Sequence, residues 1–94
     1  MARRRARPER EELIKKAPIA KEIARIIRER GLTQTEASYI VRDAPSQLSL
    51  ITTGKLAGFS AERLLRTLTR LGRDVEITIR PSRGRAGRVR VNIR

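Results

Sequence analysis

A mainly α domain that ends in a small β element is what this sequence predicts, and three observations carry the prediction. Apolar residues recur at helical spacing from residue 18 to residue 71, in stretches closed by glycine at positions 31, 54 and 72. Two of these stretches, each about eight residues long, are separated by a turn of only three or four, which is the helix-turn-helix plan. Past Gly72 the period changes from helical to alternating.

Each element has its own local warrant. The first helix is expected from Pro18, because Ile19, Ile23, Ile26 and Ile27 fall on one face with Ala20 and Ala24 beside them. Pro18 suits a first helical turn and Gly31 the position just past a helix end. The segment before Pro18, EELIKKA, is expected to make at most a separate turn or two. Thr33 opens the second helix, since its hydroxyl can accept the backbone N–H of Glu36 while that carboxylate reaches back. Ala37, Ile40 and Val41 face inward, Ala37 being small where the second and third helices cross, and the stretch ends near Arg42 and Asp43. Pro45 fits the first turn of the third helix, Leu48 and Ile51 pin it against the first, and Gly54 closes it. Ser60 caps a fourth helix with Ala61, Leu64, Leu65, Leu68 and Leu71 apolar.

The alternating segment then reads as strand. Val75, Ile77 and Ile79 stand against Asp74, Glu76, Thr78 and Arg80, and after a seven-residue linker Val89, Val91 and Ile93 alternate again. An isolated hairpin is marginal in water. Pairing across a twofold axis with a second copy is therefore expected, with Val75, Ile77, Ile79, Val89 and Val91 in the dimer interface. A hairpin folded back on a monomer, or a basic tail over residues 88–94, remains open. The chain divides accordingly into a basic, partly disordered arm (1–17), a helix-turn-helix domain (18–72) and a strand or hairpin segment (73–94).

Composition narrows the functional classes. Twenty-three Lys and Arg against ten Asp and Glu leave a formal charge of +13, a field that draws polyanions. Over half of that excess lies in residues 1–17 and 72–94, where a merely solvated tail is the plain alternative. With no cysteine and no histidine, thiolate metal sites and His-based catalysis are poor readings, so no metal, cofactor or enzymatic role is expected. Glu22, Glu29, Glu36 and Asp43 recur every seven residues, but along separate helices they read as a solvated or capping set. No apolar run approaches the roughly 18 residues of a membrane span, and residues 1–13 lack the apolar centre of a secretory signal, so a cytoplasmic chain with no membrane partner is expected.

Leu32-Thr33-Gln34-Thr35-Glu36-Ala37, then Leu48-Ser49, Ile51 and Gly54-Lys55, resembles the helix-turn-helix of the lambda repressor-like, or XRE, superfamily. More narrowly, Gly54-Lys55-Leu56 into Phe59-Ser60, then Arg63-Leu64-Leu65, Leu68 and Leu71-Gly72-Arg73-Asp74-Val75-Glu76-Ile77, is similar to antitoxins of the HigA type. The resemblance implies phosphate contacts from Thr33 and Gln34 at the start of the second helix and from Thr53 and Lys55 around the glycine. It implies base reading by Ser46, Gln47 and Leu50 on the outward face of the third. The chain departs from the pattern at Arg42, where many relatives have glycine, and at Ala44-Pro45-Ser46, where a polar cap and Gln-Pro are common. Gln47 is then the sole long amide of the reading helix able to pair with adenine.

Residues 45–54 carry no charge, which suits a division of labour: the Arg-rich ends supply attraction to phosphate and the third helix supplies fit to the groove. The expectation is a sequence-specific, double-stranded-DNA-binding repressor that acts as a homodimer and as the antitoxin to a partner toxin. A free-standing regulator of the same kind is the first alternative. A basic RNA-binding or interaction protein is the second, disfavoured because Tyr39 and Phe59 are the only rings and single-strand recognition relies on stacking.

Overall fold

The computed structural model describes residues 13–94; of the arm expected over residues 1–17, residues 1–12 lie outside them, while Lys16 and Ala17 belong to the first helix. Four helices follow in order: α1 (Lys16–Glu29), α2 (Gln34–Val41), α3 (Pro45–Thr52) and α4 (Ala61–Arg70). α1 packs against α3 and α4, while α2 packs against α3 and more lightly against α4. The core they enclose is almost wholly aliphatic, with Ile19, Ile23, Ile26, Ala37, Leu48, Ile51 and Leu64 sealed from solvent or nearly so, and Phe59 its one ring. Each fully buried aliphatic side chain contributes about 1.5–3 kcal/mol, so a core this thin leaves little margin.

The helix ends match their local signals. Thr33 and Glu36 form the expected capping box, with Thr33 Oγ1 accepting from the Glu36 N–H at 3.0 Å and Glu36 Oε1 accepting from the Thr33 N–H at 2.8 Å. Ser60 Oγ accepts the Arg63 N–H at 3.0 Å and opens α4. At the end of α3, Gly54 adopts φ 84°, which lets the Gly54 and Lys55 N–H groups turn back onto the carbonyls of Ile51 and Leu50. α1 starts two residues before Pro18 and runs through it, because a proline N in the first turn has no intrahelical acceptor to lose. Lys16 fastens that start by donating through Nζ to the carbonyls of Leu56 (3.1 Å) and Phe59 (2.9 Å) in the α3–α4 loop.

Two further expectations need correction. Glu22 is not solvated: it is buried on α1, where Arg25 grips both carboxylate oxygens at 2.9 and 2.5 Å. That hydrogen bond holds the Glu22 carboxyl below its ordinary pKa despite the opposing push of burial, and the charges of Arg25 and Arg73 act the same way. The second concerns the β element. Residues 73–94 form no strand: two stretches without regular structure flank a bend at residues 83–85, and no ladder of backbone hydrogen bonds joins them. A hairpin closed by the seven-residue linker would set Arg80 opposite Arg88, a like-charge pair where strands need complementary ones. Ile77 and Ile79 consequently stay 77% and 91% exposed, Val75, Val89 and Ile93 are partly open, and Val91 alone of the alternating set packs against the helical core.

Candidate nucleic-acid interface

α3 has two faces of different character. Leu48 and Ile51, three residues apart, are fully buried against the other helices. Ser46, Ser49 and Leu50 are open to solvent and Gln47 is half-buried, so the expected reading residues do lie on the far side from the core, Gln47 the least freely. No charged group occurs between Pro45 and Thr52.

The phosphate candidates gather at one edge of this surface. Gln34, the first residue of α2, and Thr52, the last of α3, meet through a 3.4 Å hydrogen bond from Gln34 Nε2 to Thr52 Oγ1, which brings the two helix ends side by side. Thr33 caps α2 next to them as an acceptor, so its own hydroxyl proton remains available to an anion. Thr53 is more committed: Oγ1 donates back to the Ser49 carbonyl at 2.7 Å, with a longer contact of 3.3 Å to that of Leu50. Lys55 is exposed just past Gly54, and among the described residues no ion pair holds it.

What sets the aim of α3 is a group of arginines that the sequence shows only as charge. Arg63 on α4 donates to Asp43 Oδ1 at 2.7 Å and lies over the Phe59 ring, 4.7 Å from its centroid. One guanidinium thereby ties the turn that enters α3 to the loop that leaves it. Arg70 donates to the Val41 carbonyl at 3.1 Å, closing the end of α2 onto α4, and the Asp43 N–H reaches the Ser38 carbonyl at 3.1 Å inside the turn. Arg30 does the same for the end of α4 through the Leu71 carbonyl at 3.2 Å. Ser38, one residue beyond Ala37, is also buried, and its Oγ donates to the Thr35 carbonyl at 2.7 Å. The turn thus has two small buried residues ahead of it, where Ala37 alone was expected.

Arg42 sits in the left-handed region at φ 60°, exposed at the turn, the one described non-glycine residue with positive φ. An L-residue there is strained by about 1–2 kcal/mol, whereas glycine costs about 0.5–1 kcal/mol in lost chain freedom. Arg42→Gly should therefore raise stability by about 0.5–1 kcal/mol. Arg42 is also exposed just ahead of α3, and if α3 meets DNA as expected its positive charge there should add to phosphate attraction. A melting curve and a duplex titration on the same variant check both halves: the melt should rise and the affinity fall.

Among known proteins, a model of a helix-turn-helix domain family matches residues 6–80. Among solved structures, one described as an XRE-family transcriptional regulator superposes with a TM-score of 0.77 at 35% sequence identity, over 83% of this chain and 90% of that one. No curated protein sequence matches the chain.

Proposed function

The chain belongs to the XRE family of helix-turn-helix proteins, DNA-binding transcriptional regulators rather than enzymes, and from that premise we propose that it is a sequence-specific repressor. It binds its own operator in the cytoplasm as a homodimer, with α3 in the major groove. The observation that carries this reading is the two-faced, uncharged α3, whose back is locked in the core while Ser46, Gln47 and Leu50 look outward. Thr33, Gln34 and Lys55, with Thr53 once its hydroxyl turns away from Ser49, hold the flanking phosphates. Among the described residues no helix is long and apolar enough to cross a membrane.

Dimerisation is supported by the two stretches of residues 73–94 that lack regular structure. Val91 apart, their apolar side chains are left open, and from residue 74 on no backbone hydrogen bond joins one stretch to the other or to the helices; a second copy of the same stretches satisfies both. Two reading helices roughly 34 Å apart then match successive major grooves.

The resemblance of residues 54–77 to HigA-type antitoxins extends the proposal to a partner toxin neutralised by this chain. The formal charge of +13 favours a second reading, a free-standing regulator, because a basic toxin would be repelled. Copurification of the neighbouring gene's product after coexpression separates them: a stoichiometric complex supports the antitoxin, and none at matched expression supports the free regulator.

Gln47→Ala tests the reading itself. It should reduce the preference for operator over random DNA by about 1–3 kcal/mol while changing affinity for random DNA little. Identical competition curves for mutant and parent on both DNAs would remove α3 from base recognition.

A further inference from the structure

We propose that the turn over residues 81–87 is a second DNA-binding element, which enters the minor groove over A·T base pairs through Arg83, Gly84 and Arg85. This goes beyond the reading by α3 and does not depend on it.

No other stretch of the described chain holds so many arginines without an acidic residue. Residues 77–94 hold six arginines and no acidic residue. In the helical body, Arg25, Arg63 and Arg66 are each paired with a carboxylate and Arg30 and Arg70 are spent on backbone carbonyls, leaving Arg28 and Arg42, far apart in sequence, as its exposed arginines without such a partner among the described residues. Arg83 and Arg85 are exposed, and among the described residues neither has an ion pair or a side-chain hydrogen bond. The turn that carries them is nonetheless shaped. Ser82 Oγ donates to the Arg85 carbonyl at 2.6 Å, bracketing Arg83 and Gly84, and Gly84 at φ 86° has nothing within 4 Å of where a side chain would stand.

The ligand follows from groove chemistry. A B-form minor groove is only about 6 Å wide, so a backbone that enters it must lack a side chain at its deepest point. Glycine meets that need, and arginines on both sides can run along the floor, donating to adenine N3 and thymine O2. A·T tracts narrow the groove and deepen its negative potential, which favours inserted arginine. A G·C pair instead puts the guanine amino group in the way. Simple attraction to phosphate carries no such preference.

The test is an anisotropy titration of the full chain on three duplexes with common flanks and a centre of A·T, G·C or inosine·cytosine pairs. Inosine·cytosine keeps the major-groove pattern of G·C but lacks the minor-groove amino group. The A·T and inosine·cytosine duplexes should bind alike, and the G·C duplex about fivefold or more weakly. The double variant Arg83→Lys, Arg85→Lys keeps both charges and should lose that preference with an unchanged salt slope, whereas Gln47→Ala should keep it. Equal affinity for all three duplexes would reduce the turn to a phosphate contact and overturn the proposal. So would a preference for A·T over both other duplexes, which is a major-groove signature, or one that survives the lysine pair and vanishes in Gln47→Ala.

Discussion

Ile51→Ala should destabilise the fold by about 2–5 kcal/mol, the range for removing a buried large aliphatic side chain. Ile51 is fully buried and lies one residue from the end of α3, facing the helices that surround it. The rest of the core is isoleucine, leucine, alanine and one valine, with a single ring among them. Little can move in to fill the space. A single small core seldom supplies more than about 3–5 kcal/mol in total, so the variant should be largely unfolded without DNA or a partner copy. Leu50→Ala, adjacent but facing solvent, should cost less than about 1 kcal/mol. Urea titrations followed by circular dichroism compare the two directly, and similar midpoints would mean that α3 is not seated as described.

The double variant Ile77→Lys, Ile79→Lys should lose affinity for a two-half-site operator by about 10²–10⁴-fold. Two opposed effects make this decisive. The substitutions add two positive charges to a chain already at +13, and phosphate attraction alone would tighten binding. They also remove the most exposed part of the apolar stripe, 77% and 91% open in the single chain, and with it the surface assigned to the second copy. If assembly matters, the sign is loss. Neither side chain belongs to the helical core, so α1 to α4 should fold as before. Light scattering should give twice the chain mass of 10.7 kDa for the parent and a single mass for the variant. A variant that binds the operator more tightly would exclude the dimer through these residues.

What was legible in the sequence is what depends on neighbours along the chain. The Thr33–Glu36 box, the Ser60 cap and the turn at Gly54 each involve groups within five residues, and each is present. Helical spacing likewise separates Leu48 and Ile51 from Leu50. The links that orient the site are not local: Arg63 reaches Asp43 across 20 residues, Arg70 reaches Val41 across 29, and Lys16 reaches Leu56 and Phe59 across 40 and 43. An arginine looks the same in a sequence whether it faces water or holds a carbonyl. Residues 74–80 and 88–93 show the complementary failure, because alternation tells which side chains share a face and says nothing of whether another backbone lies alongside.

Two stretches of chain without regular structure, joined by no backbone ladder within the protomer, also set how long a solitary protomer lasts. A backbone outside regular structure is readily drawn into a protease cleft, and its unpaired groups are equally a template for wrong pairing between chains. Whatever covers residues 73–94 therefore governs the lifetime of the protein as well as its stoichiometry. Limited proteolysis should cut that segment in dilute solution and spare it at concentrations where chains associate, leaving the four helices intact in both; cleavage indifferent to dilution would mean that nothing shields it.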